Sequence, residues 1–132
     1  MGNIFYFTDL SYAFVNHKPV VPGHVLVASR RQVGSLTDLT LAETADLFNV
    51  VKKIEMLIKR KFATDSCTVS VQDGPLAGQT VKHVHVHILP RRLGDFEKDA
   101  IYKELAVHDA DDRAPRTEEQ MFSEAREYRS LQ

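Results

Sequence analysis

From residue 83 to residue 89 the chain reads His83-Val84-His85-Val86-His87-Ile88-Leu89, histidine alternating with β-branched residues. Successive side chains on a strand point to opposite faces, whereas a helix turns each by about 100° and would scatter the imidazoles. A strand puts three imidazoles on one face and Val84, Val86 and Ile88 on the other. The chain must therefore build a sheet with one face sealed as a core and the other face polar. The alternation predicts a strand over Val81 to Leu89. Three of the six histidines fall within five residues, a clustering that wants a chemical reason.

The other elements follow from the same patterns. Ile4 to Phe7 and Tyr12 to Val15 are rich in β-branched and aromatic residues and read as two strands, with polar Thr8-Asp9 between them. Asn16 to Pro19 and Pro22-Gly23 are turn signals, and Val25 to Ser29 reads as a short strand. Thr40 and Glu43 make a capping box ahead of a helix whose apolar stripe is Leu47, Val50, Val51, Ile54, Leu57 and Ile58. Lys59, Arg60 and Lys61 suit the negative end of its dipole. Cys67 to Asp73 alternates again, with Cys67, Val69 and Val71 on one face. A tight loop at Gly74-Pro75 and Gly78 leads into the histidine row. From about residue 91 a C-terminal loop precedes a short helix opened by Thr117 and Gln120. Strands, helix, strands, helix imply an α+β domain with an antiparallel sheet.

At 132 residues the chain fits one domain, residues 1–132. With 17 basic against 18 acidic residues it lacks the basic excess of a general nucleic-acid binder. No apolar run is long enough to span a membrane. A single cysteine, Cys67, forms no internal disulfide and fits a reducing compartment, so cytoplasm or nucleus is the expected location.

Three readings of the histidine row compete. It can be a polar sheet face, or a three-histidine metal site, since imidazole is the commonest zinc ligand. It can also be a nucleophilic centre acting on phosphorus. Near neutral pH an imidazole is largely unprotonated and nucleophilic, and like charges keep neighbouring rings from all being cationic. One ring can attack while another holds a proton for the leaving group. Backbone N–H groups of Gly78 to Val81 and the amides of Gln72, Gln79 and Asn16 could then hold phosphate oxygens. This last reading accounts for most of the features together.

The row and its flanks resemble a known family. His83-Val84-His85-Val86-His87 matches the signature of the histidine-triad (HIT) superfamily. Gln72 to Lys82 before it, Leu89-Pro90-Arg91 after it, and Val15 to Val27 are similar to the Fhit, or fragile histidine triad, branch. The resemblance implies a five-stranded antiparallel sheet with two helices, dimerised so that both sheets run continuously. It implies a dinucleoside polyphosphate hydrolase that splits diadenosine triphosphate into AMP and ADP through a covalent nucleotidyl-histidine. His85 would be the nucleophile. His83 would orient it through its backbone carbonyl or with the help of His24, and His87 would contact phosphate near the leaving group. Gln72 with Gly78, Gln79, Thr80 and Val81 would hold the phosphates. Asn16 would contact the ribose or α-phosphate, and Phe14, Val15 and Leu26 would supply part of the base pocket. No cofactor is expected to be tightly bound, with Mg2+ or Mn2+ arriving on the substrate.

The family pattern also implies one further strand ahead of the segment present here; either Ile4, Phe5 and Phe7 take its place beside the base, or the pocket is more open and base affinity weaker. Two rival activities remain. One is phosphoramidate hydrolysis of the Hint branch, against which Leu89-Pro90-Arg91 argues. The other is a nucleotide-loaded signalling protein with slow turnover. Elsewhere the plain readings prevail: Cys67 is core, His17 is exposed, and His108 to Asp112 is a solvated loop before it is a cation site. Tyr102 matches a tyrosine that can be phosphorylated in the family.

Overall fold

The computed structural model describes residues 2–96, 100–107 and 115–132. Five strands, β1 (Ile4–Phe7), β2 (Ser11–Val15), β3 (Val25–Ser29), β4 (Cys67–Ser70) and β5 (His85–Pro90), form one antiparallel sheet in the order β1-β2-β3-β5-β4. Helix α1 (Leu41–Lys61) joins β3 to β4, and α2 (Ala100–Val107) and α3 (Glu118–Ser130) follow β5.

Alternation divides the sheet. Ala13, Val15, Val25, Val27, Val86 and Ile88 lie on one face, each at most 1% exposed, and pack against the α1 stripe of Leu47, Val50, Val51, Ile54, Leu57 and Ile58. Each aliphatic side chain so buried contributes about 1.5–3 kcal/mol, enough to fix the register of every strand. Both capping boxes form as the sequence indicates: Thr40 with Glu43 opens α1 and Thr117 with Gln120 opens α3. Helix α3 covers β1 through Tyr128, whose ring meets Phe5 edge to face at 5.1 Å.

Three expectations need correction. The two-helix expectation misses α2; Ile101 and Leu105, one turn apart, seat it on Leu89 and Val21. Burial of these two residues adds to the good helix formers of the segment, Ala100, Lys103, Glu104, Leu105 and Ala106. The histidine strand begins at His85 rather than Val81, because the ladder with β3 ends at the Ala28–His85 pair. Val84 instead donates its N–H to the Val33 carbonyl. Strand β4 stops at Ser70, short of Asp73, and Val69 on this sheet edge is 41% exposed while Cys67 and Val71 pack on the core.

Two glycines are required by close approach. Gly23, at φ +87°, turns the chain just ahead of His24, and a Cβ there would stand 2.5 Å from the Phe62 ring. Gly78, at φ +96°, lets the loop before the histidine row lie against Gln72, whose Nε2 would be 2.5 Å from such a Cβ.

Candidate active site

The sheet face opposite α1 carries the chemistry. Tyr12, Phe14, Leu26, Ala28, His85 and His87 alternate with the core residues, and Asn16 extends the row past the end of β2. They frame a slot of about 210 Å3 lined by Tyr12, Phe14, Asn16, His17, Leu26, Ala28, Val81, His83 and His85. Tyr12 and Phe14 stack at 5.3 Å between ring centroids and give it an aromatic wall.

Backbone groups decide where the protons of the imidazoles sit. His85 Nδ1 lies 2.7 Å from the carbonyl oxygen of His83. A carbonyl only accepts, so Nδ1 carries the hydrogen and Nε2 of the neutral ring keeps its lone pair. His83 Nε2 in turn donates to the Ser29 carbonyl at 2.5 Å.

A second set of bonds begins at the Val20 N–H, which donates to His24 Nδ1 at 3.0 Å. The hydrogen of His24 is then on Nε2, which donates to His87 Nδ1 at 2.9 Å. That bond leaves the neutral His87 ring with its own hydrogen on Nε2. Asn16 Nδ2, 3.3 Å from His24 Nε2, is also an N–H group and abuts it; Asn16 Oδ1 accepts the Lys18 N–H at 2.9 Å. His87 meets the His85 ring edge-on at 5.0 Å.

The structure separates the sequence-derived residues. His83, His85, Asn16, Phe14, Leu26 and Val81 line the slot together. His87 and His24, both 0% exposed, stand behind them. His24 joins His87 and not His83, so the help expected for His83 goes to the histidine four residues on. Val15 does not line the slot: adjacent strand residues cannot share a face, and Val15 is in the core beside α1.

The glycine-rich loop is held by its own bonds. Gln79 accepts the Gly74 N–H at 2.7 Å and donates to the Gly34 carbonyl at 2.8 Å. Gln72 donates to the carbonyls of Leu105, 2.9 Å away, and Ala77, 3.2 Å away. The N–H groups of Gly78 and Gln79 bond back to Pro75 and Gly74, while Thr80 is exposed. A phosphate held by these amides would have to exchange with the loop bonds.

The same face continues past Tyr12. Ile4 and Phe7, paired with Phe14 and Tyr12, border a neighbouring hollow of about 450 Å3 with Arg30 and Arg129. Phe5 also borders this hollow while its ring meets Tyr128, and none of the three residues lines the histidine slot itself. His17 is exposed as expected and nonetheless lines the slot. The segment from His108 to Asp112 lies outside the described residues. Among those described, no three His, Cys, Asp or Glu side chains are grouped so that they could hold a metal ion. No described helix is long and apolar enough to cross a membrane.

Sequence reasoning passed over Tyr12, Ala28, His17 and Arg116. The first two share the alternation of Phe14 and Leu26 and could have been read from it. Arg116 stands 100 residues from Asn16, whose carbonyl it holds, and no local signal announces it.

An alternating-histidine strand, one imidazole with its Nε2 lone pair fixed, and a flat slot beside it define a histidine-triad site. Residues 1–94 match the HIT domain, and the chain belongs to that family. Its relatives place it in the Fhit branch. It is 56% identical over 130 residues to the nitrilase and fragile histidine triad fusion protein NitFhit of Caenorhabditis elegans, covering 98% of this chain but only 30% of that protein. It is 46% identical over 131 residues to the bis(5'-adenosyl)-triphosphatase of Dictyostelium discoideum, covering 98% of this chain and 85% of that protein. The solved diadenosine triphosphate hydrolase of Plasmodium falciparum superimposes with a TM-score of 0.82 at 32% identity, over 98% of this chain and 75% of that one.

Proposed function

We propose that this protein hydrolyses dinucleoside polyphosphates, diadenosine triphosphate to AMP and ADP, by double displacement through His85. The observation that carries the reading is the 2.7 Å bond from His85 Nδ1 to the His83 carbonyl, which leaves Nε2 as a nucleophile at the slot. In the first step Nε2 attacks the α-phosphorus, a P–N bond forms and the P–O bond to ADP breaks. His87, with its hydrogen directed to Nε2 by His24, donates a hydrogen bond toward the leaving oxygen, and ADP departs as its phosphate anion. In the second step water attacks the same phosphorus, the P–N bond breaks and AMP departs, with the proton of water released to solvent.

The adenine would lie against Phe14, Tyr12 and Leu26, where a flat apolar slot suits a base. Asn16 and His17 would meet the ribose and α-phosphate. Mg2+ or Mn2+ would come with the polyphosphate, liganded by its oxygens and water. A homodimer would form by pairing the β4 edges of two copies, for which the short edge strand and exposed Val69 are suited.

The test is incubation with diadenosine triphosphate and magnesium, with nucleotides resolved by chromatography and His85→Asn run alongside. Equal AMP and ADP from the parent, and none from a variant with an unchanged melting curve, is the expected result. Cleavage by His85→Asn at the parent rate would refute the mechanism. If the parent splits adenosine phosphoramidate and leaves diadenosine triphosphate intact, the substrate assignment is wrong.

A further inference from the structure

Asn16 and His17 continue past the last residue of β2, and the ladder with β3 stops at Val15. Both nevertheless line the slot, so something beyond the sheet must fix them. Arg116 does so from the other end of the chain. Its Nη2 and Nε donate to the Asn16 carbonyl at 2.5 and 3.2 Å, and its backbone N–H donates to the His17 carbonyl at 2.7 Å. Three donors of one residue thus grip two successive carbonyls of the slot wall.

The guanidinium is itself oriented. Nη1 is paired with Glu124 Oε2 on α3, and the other Glu124 oxygen accepts the Tyr128 hydroxyl hydrogen at 2.9 Å. Arg116 and Glu124 side chains are 23% and 17% exposed, which limits competition from water. Tyr128 is anchored in the core against Phe5. A rigid line therefore runs from the core through α3 to the wall of the slot. Only a planar fork can place two N–H groups on one carbonyl and a third on a carboxylate at once; a lysine ammonium cannot match this geometry.

We propose that Arg116 is a positioning residue for the nucleotide, holding the Asn16–His17 wall in its binding conformation through the two backbone carbonyls. The inference rests on the slot being a nucleotide site, as argued above. Arg116 touches no reacting atom, so its loss should weaken binding and spare the chemical step.

The test compares the parent with Arg116→Met, Arg116→Lys and Tyr128→Phe. AMP affinity is measured by calorimetry, KM and kcat on diadenosine triphosphate, and thermal midpoint on each protein. For Arg116→Met, KM and the AMP dissociation constant rise about ten-fold while kcat stays within about three-fold. Arg116→Lys, which keeps the charge opposite Glu124, recovers part of the affinity and serves if the methionine variant does not fold. Tyr128→Phe, which removes one bond two steps away from the slot, lowers the midpoint and raises KM by less than Arg116→Met does. The proposal is overturned if both Arg116 variants lose thermal stability with no change in AMP affinity, or if Tyr128→Phe raises KM as much as they do. A parent that binds AMP but cleaves nothing would sink the hydrolase reading alone, since the affinity comparison still stands; a parent that binds no AMP would sink both.

Discussion

Phe14 and Val15 are neighbours in sequence, and opposite outcomes are expected when each is shortened to alanine. Val15 is 1% exposed within the α1-facing core, and Val15→Ala removes two methyl groups from it. At about 0.8 kcal/mol per buried carbon plus a cavity contribution, the loss is about 2–3 kcal/mol. For a domain this size that corresponds to a fall in Tm of roughly 10 °C. Phe14 is only half-buried and stacks on Tyr12 at the slot, so Phe14→Ala forfeits little core. Stacking of a base on an aromatic ring is worth about 1–3 kcal/mol, so AMP affinity and KM should weaken by about ten-fold. Melting curves and AMP titrations of both variants decide the matter. If Val15→Ala kept its Tm and lost AMP binding as Phe14→Ala does, the division of the sheet into a core face and a site face would be refuted.

Two further outcomes follow from titratable groups outside the site. The Arg31 guanidinium, with the Thr40 backbone N–H, holds the Glu43 carboxyl at about 2 against an ordinary 4.5. A depressed carboxylate stabilises the fold above its unfolded pKa, and the contribution is lost as pH falls from about 4.5 to about 2. Stability of Glu43→Gln, followed by urea midpoints, should fall less steeply across that window, and parallel curves would count against the pair. Burial pushes the Cys67 thiol up to about 11. Iodoacetamide at pH 8 should therefore alkylate the native protein far more slowly than the urea-unfolded chain, and equal rates would mean that this face of β4 is open.

Much of the fold was legible because it rests on short-range periodicity. The α1 stripe, both capping boxes and the alternation at His85 to Leu89 each depend on residues within a few positions of one another. What was missed is long-range. Ile101 and Leu105 of α2 find Leu89 and Val21, contacts that no local periodicity announces. The pairing of His24 with His87 spans 63 residues and depends on how the Gly23 turn is packed under Phe62. Val15 is a different kind of error: the period-two rule that located the histidines already excluded it from the face that holds Phe14. The triad and much of the slot wall could be named from sequence and family resemblance, whereas the hydrogen-bond directions within the site could not.

Those directions matter more than the presence of four histidines. Each of the two chains of bonds in the site is terminated by a backbone group that titration cannot alter: the His83 carbonyl facing His85, and the Val20 N–H facing His24. A carbonyl forces a hydrogen onto the nitrogen it faces, and an N–H forces a lone pair. The outcome at His85 is therefore a lone pair on the far nitrogen, while the outcome at His87, reached through His24, is a hydrogen there. Two rings of identical composition, two residues apart on one strand, are thereby driven to opposite roles as nucleophile and donor. A side-chain carboxylate in either position could gain or lose its proton and exchange these roles; a peptide group cannot. Strand β5 thus does more than align His85 and His87 on a face, because the same backbone that sets the register also sets which ring can attack.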